Sequence, residues 1–134
     1  MPRFLLLIFV TLAAIPTMAA ASDAEGIWST EKNGEGGYIE VTIAPCKSDA
    51  KLICGLITKA IGESGENPDY ENLGKYIIEN MKDDGDGTYS GGTIWDPESD
   101  KVFKSKMELK GDELDVDGCI SFFCKGQHWK RVAS

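Results

Sequence analysis

Gly26-Ile27-Trp28 opens the folded part of this chain, and Trp129-Lys130-Arg131 closes it. An up-and-down β-barrel removes its sheet edges by pairing its first strand with its last. A tryptophan at the start of the first strand can plug one end of such a barrel. An arginine from the last strand can then lie over the indole and bond the carbonyls of the N-terminal segment. Trp28 and Arg131 are placed for these two closure roles.

Between those ends the sequence reads as short strands separated by turn signals, the pattern of a sandwich or barrel. Residues 38–44 alternate, with Ile39, Val41 and Ile43 on one face and Tyr38, Glu40 and Thr42 on the other. Residues 89–95 set Tyr89, Gly91, Thr93 and Trp95 against Ser90, Gly92 and Ile94, and residues 102–109 set Phe103, Ser105, Met107 and Leu109 against lysines and Glu108. Leu114 and Val116 oppose Asp115 and Asp117, and runs at 27–30, 52–57, 76–81 and 127–132 complete eight strands. Asp84-Gly85-Asp86-Gly87 and Lys110-Gly111-Asp112 are hairpin chemistry. Only residues 61–75 are long and irregular, with a turn of helix expected near 69–73. A helix over 70–81 is the alternative to the 76–81 strand, and Gly74 stands against it.

The leader is read from three parts: Arg3, an uncharged apolar run over residues 4–15, and the small residues Ala19, Ala20 and Ala21 after Pro16. The run is too short for a bilayer core, which needs about 20 apolar residues. Residues 1–21 are therefore expected to be a cleaved signal peptide of bacterial type, and residues 22–134 a single domain in the periplasm or secreted. The chain carries 14 Lys+Arg against 22 Asp+Glu, a formal net charge of −8 at pH 7. An acidic surface repels phosphate backbones and anionic headgroups. Nucleic acid, and membrane after cleavage, are thus poor partners, and a cationic protein is a better one.

Export also sets the reading of the four cysteines, because thiols outside the cytosol can be kept oxidised. Cys46 and Cys54 flank one short loop, and Cys119 and Cys124 flank another. Antiparallel neighbours meet the geometry a disulfide requires. The two local pairs are favoured over the crossed connectivities. Neither spacing is C-x-x-C, and His128 is the lone histidine, so no metal site, redox site or cofactor is expected. Asp84-Gly85-Asp86-Gly87 fails as a calcium loop, since Lys82 and Thr93 would fall on ligand positions. His128 has no evident nucleophile beside it, and no catalytic residue is assigned.

The early G-x-W and the late basic residue resemble the calycin superfamily of lipocalins and fatty-acid-binding proteins. A closer resemblance rests on Gly26-Ile27-Trp28, Ala44-Pro45-Cys46, Leu52-Ile53-Cys54-Gly55-Leu56-Ile57, Asn67-Pro68-Asp69, Gly91-Gly92-Thr93-Ile94-Trp95-Asp96-Pro97, Asp117-Gly118-Cys119 and Gln127-His128-Trp129-Lys130-Arg131. These runs resemble the bacterial domain-of-unknown-function family 2147 over nearly all of residues 22–134. The resemblance implies an exported, small, lipocalin-like barrel. It supplies no activity and no functional residue. Ser99-Asp100 stands where relatives tend to have a glycine, and the Cys119–Cys124 pair belongs to only some members.

The expectation is an all-β, eight-stranded antiparallel barrel with two local disulfides, wide enough for side chains or one small ligand. The favoured function is non-enzymatic binding of a small apolar or amphipathic ligand. Access would be near residues 61–75, with Tyr89, Trp95, Phe103 and Met107 as lining residues. The alternative is an acidic interaction module, such as an inhibitor that inserts a loop into a cationic, lysozyme-like enzyme.

Overall fold

The computed structural model describes residues 7–13 and 22–134. The expected cleavage positions Ala19, Ala20 and Ala21, like Arg3 and Pro16, lie outside the described residues. Among the described residues, no helix is long and apolar enough to cross a membrane.

The described residues form nine strands: β1 (Gly26–Ser29), β2 (Tyr38–Pro45), β3 (Ile53–Gly62), β4 (Gly65–Glu66), β5 (Tyr76–Gly85), β6 (Thr88–Asp96), β7 (Lys101–Lys110), β8 (Glu113–Ile120) and β9 (Phe123–Ala133). All pairings are antiparallel. The order is β2-β1-β9-β8-β7-β6-β5-β3-β4, and an added β2–β3 pairing closes eight strands into a ring. The ninth strand, β4, is two residues folded back on the end of β3. It was hidden in the stretch read as irregular. The 76–81 strand forms and runs on to Gly85, so the alternative helix over 70–81 does not exist. Residues 68–74 make successive turns rather than a turn of helix.

Closure falls where the first and last strands meet: Trp28 pairs with Arg131, and Ser29 with Lys130. The core is the set of inward residues that the alternation selects. Trp28, Trp129, Val41, Ile43, Ile57, Ile78, Met81, Leu114 and Val116 are fully buried. Both disulfides are local, as expected. Cys46–Cys54 joins β3 to the turn after β2 with Cα atoms 4.9 Å apart, and Cys119–Cys124 joins β8 to β9 at 4.0 Å.

One face assignment needs correction. The strict alternation over 89–95 breaks because the β6–β7 register shifts between Tyr89 and Gly92. Gly91 sits at φ 78°, in the left-handed region. The extra residue switches parity, so Tyr89 and Ile94 both face the core while Trp95 does not follow them. Gly92 is required there: a Cβ on it would lie 2.5 Å from the Glu79 carbonyl oxygen and 3.0 Å from the Met81 backbone.

Candidate functional site

The two barrel ends differ. The end holding the β2–β3, β5–β6 and β7–β8 turns is sealed by the N-terminal segment. The Trp28 indole N–H donates to the Ala24 carbonyl at 2.9 Å. The Arg131 guanidinium sits 4.3 Å from the centre of the Trp28 ring. Its two terminal nitrogens donate to the Glu25 and Asp23 carbonyls at 3.1 and 2.9 Å. Tyr89 completes the seal: its hydroxyl accepts from the Ala24 N–H at 3.2 Å and from the Ser22 hydroxyl at 3.0 Å.

The four residues named from sequence as a lining therefore divide. Tyr89 and Met107 are cross-strand partners and are buried, but they sit at the sealed end. Phe103 and Trp95 sit at the other end. Phe103 pairs with Ile94 and faces inward, since both side chains crowd the position of Gly118. Trp95 pairs with the exposed Val102.

The other end is a mouth rimmed by apolar side chains. Of six half-buried apolar residues packed on the core, Ile39, Tyr70, Leu73, Trp95 and Phe103 lie at this end. Residues 67–75 border it and are tied to β3. Gly74 donates to the Ile57 carbonyl and Ile57 to the Lys75 carbonyl, both at 2.9 Å, and Asn67 donates to Ala60 at 2.8 Å. The buried Asn72 side chain organises a polar rim. Its amide donates to the Tyr70 hydroxyl at 3.2 Å and accepts from the Lys75 ammonium at 2.9 Å. That ammonium lies 5.7 Å from the Trp95 ring centre, and the Trp95 indole N–H donates to Asp100 at 2.9 Å. Trp95 is thus pinned at both faces of its chemistry, ring and N–H.

On one side the wall is incomplete. β1 pairs with β9 only from Lys130 onward, so residues 123–129 of β9 have β8 as their only strand partner among the described residues. The β8–β9 hairpin projects past β1 by seven residues, about 23 Å of extended chain. Two open surface depressions, of about 860 and 450 Å³, lie outside the barrel: one around Arg131 at the sealed end, one beside His128 and Tyr38.

A charged cluster occupies the outer face of β8 and β9. His128 Nδ1 lies 2.5 Å from Asp115 and 3.6 Å from Glu113, and the Lys110 ammonium is 2.9 Å from the other Asp115 oxygen. Glu31 accepts from the His128 backbone N–H at 2.9 Å. The Lys110 and His128 hydrogen bonds hold the Asp115 carboxyl down at about 2, and Asp115 raises His128 above its ordinary value. The donor atoms of Glu113, Asp115 and His128 lie within 4.8 Å of one another, close enough to hold a cation. Both Asp115 oxygens, however, already face a basic group.

The comparisons with known proteins bear on this fold directly. Residues 26–131 match the family described as "Uncharacterized protein conserved in bacteria (DUF2147)". The chain belongs to that family. This DUF2147 protein is similar in structure to a Helicobacter pylori protein, HP1028, described as belonging to the lipocalin family. The TM-score is 0.60 with 14% sequence identity, over 81% of this chain and 82% of that one. At that identity the likeness concerns the fold alone. No curated protein matches the chain.

Sequence reasoning placed access near residues 61–75 but missed the polar rim, because its parts come from separate places. Asn72 and Lys75 sit in the stretch read as irregular, and only the fold brings them to Trp95. The His128–Asp115 pair had a signal that could have been used. Alternation alone puts Asp115 and His128 on outward faces of adjacent hairpin strands, and the turn between Cys119 and Cys124 sets their register.

Proposed function

We propose that this DUF2147 protein is an exported, non-enzymatic carrier of a small amphipathic ligand held at the mouth of the barrel. The observation that supports it is the asymmetry of the two ends. One is sealed by Trp28, Arg131 and Tyr89, and the other gathers Ile39, Tyr70, Leu73, Trp95 and Phe103, all half-buried, beneath a polar rim. Convergent apolar walls with a few fixed polar groups are what small-molecule sites use. The buried residues below leave the mouth, rather than the depth of the barrel, as the place for a ligand's apolar part. Tyr89 and Met107 belong to the floor in this reading and Phe103 to the inner wall, while Trp95, on the outer face of the same wall, marks the rim.

Dodecylphosphocholine, kept below its micelle threshold, is a suitable probe. Trp28 and Trp129 are fully buried, so Trp95 is the tryptophan positioned to respond. A saturable change in emission is expected, silent in Trp95→Phe and weakened about tenfold or more in Phe103→Asp. No saturable change, or an unchanged response in Trp95→Phe, would count against the reading. The acidic Glu63, Glu66, Asp69 and Glu71 around the mouth favour a second reading, capture of a cationic lysozyme-like enzyme. Salt-sensitive retention by lysozyme, lost when those residues are neutralised, would support that reading instead.

A further inference from the structure

The β8–β9 hairpin ends in an apolar tip. Phe122 is 103% exposed, Phe123 79% and Ile120 66%, and Val102, 63% exposed, lies on the opposite face of the sheet. Among the described residues of the barrel, these are four of the five exposed large apolar side chains, with Val132 the fifth. Scattered exposed apolar residues need no explanation, but a contiguous group such as Ile120, Phe122 and Phe123 marks a contact surface. This group is also held rigid. Cys119 and Cys124 are bonded directly beneath it, Ile120 pairs with Phe123, and Ser121 makes the turn at φ 54° without a glycine. Rigid presentation lowers the entropy lost when a contact forms.

The charges around the tip point to its partner. Lys101, Lys104 and Lys125 flank it and are exposed, and residues 118–125 contain no acid. The acids Glu63, Glu66, Asp69 and Glu71 sit on the other segment bordering the mouth. Asp96 and Asp100, in the nearer β6–β7 hairpin, accept from Ser99 and the Trp95 indole and keep their charge, with Glu98 between them, and Glu31 and Glu35 lie on the β1–β2 loop beside β9, so the lysines outnumber acids only at the tip itself. The net charge of −8 averages this asymmetry away. At physiological ionic strength, charges beyond about 8 Å are largely screened, so lysines in contact count for more than distant acids.

We propose that the tip inserts into the surface of an anionic phospholipid membrane, with Phe122 and Phe123 in the interface and Lys101, Lys104 and Lys125 against the headgroups. The tip and the apolar mouth share one end of the barrel. Insertion would therefore bring the mouth to the source of an amphipathic ligand. This deepens the carrier reading and rests on it for purpose, but the contact itself can be measured alone.

The test is flotation of the exported protein, its Ser22 start checked by intact mass, with vesicles of phosphatidylcholine with and without phosphatidylglycerol. Flotation is expected with phosphatidylglycerol. It should fall about fivefold for each of Lys101, Lys104 and Lys125 changed to Gln, and about a hundredfold in the doubly substituted Phe122→Asp, Phe123→Asp protein. Both phenylalanines are exposed, so an unchanged melting temperature is expected and shows the variant is folded. Absence of flotation, equal flotation of the double variant, or self-association through the tip abolished by the same variant would each overturn the proposal. If vesicles fail while dodecylphosphocholine still shifts Trp95, membrane docking falls and the carrier reading stands; the opposite pattern removes the carrier reading alone.

Discussion

Arg131 lies with its guanidinium 4.3 Å from the centre of the Trp28 ring, while the same group holds the Glu25 and Asp23 carbonyls. One side chain thus joins the last strand, the first strand and the N-terminal segment. The fork geometry of guanidinium makes this possible, and an ammonium cannot reproduce it. Arg131→Ala should destabilise the protein by about 3 kcal/mol, combining a desolvated cation–π contact with lost hydrogen bonds to a charged donor. That corresponds to a fall in melting temperature of about 10 °C or more. Arg131→Lys should recover only part of it. A loss within about 0.5 kcal/mol in urea unfolding would show that the seal is not what holds the barrel shut.

Gly92 offers a second check, on the β6 bulge. A methyl group there meets the Glu79 carbonyl oxygen at 2.5 Å, and that oxygen belongs to backbone, so no rotamer relieves the clash. Gly92→Ala should cost about 2–3 kcal/mol as an overpacking change. Gly34→Ala, with nothing within 4 Å of the added carbon, should stay within about 0.5 kcal/mol. Paired urea denaturation curves of the two variants measure the difference directly.

His128 is the only histidine in the chain, so its ring protons give one clean titration by NMR. Its midpoint should lie above 6.5 and drop back toward that value in Asp115→Asn. The consequences for stability have opposite signs at the two partners. His128 binds its proton more tightly when folded, so its contribution is complete below 6.5 and is lost as pH rises through the folded midpoint. Asp115 holds its proton less tightly when folded, so its contribution is present above 3.8 and is lost as pH falls through about 2. His128→Gln should therefore remove the fall through the histidine midpoint and shrink the acid limb to the part that Lys110 supports. A wild-type midpoint at or below 6.5 would contradict the pairing.

Much of the barrel was legible in the sequence because its signals are local. Alternation over 38–44 and 102–109 names Val41, Ile43, Ser105 and Met107 as inward, and all four are buried. Hairpin glycines and cysteine spacing fix which strands neighbour which. Trp95 shows where local signals stop. One extra residue at Gly91 shifts the register, and strict alternation then assigns every later side chain of the strand to the wrong face. The polar rim was illegible for another reason. Asn72 and Lys75 take their roles from Tyr70, Trp95 and Ile57, and nothing in the sequence sets those distances. The reach of the tip was illegible too: alternation marks a last strand only over 127–132, whereas β9 begins at Phe123 and pairs with β1 only from Lys130 onward.

The proposed carrier role is tested most directly by native mass spectrometry of the protein beside its Phe103→Asp variant. The expected spectrum shows the intact chain carrying one small molecule of a few hundred daltons, released on activation and missing from Phe103→Asp. A bare chain in both preparations, or an adduct retained equally by the variant, would contradict the carrier.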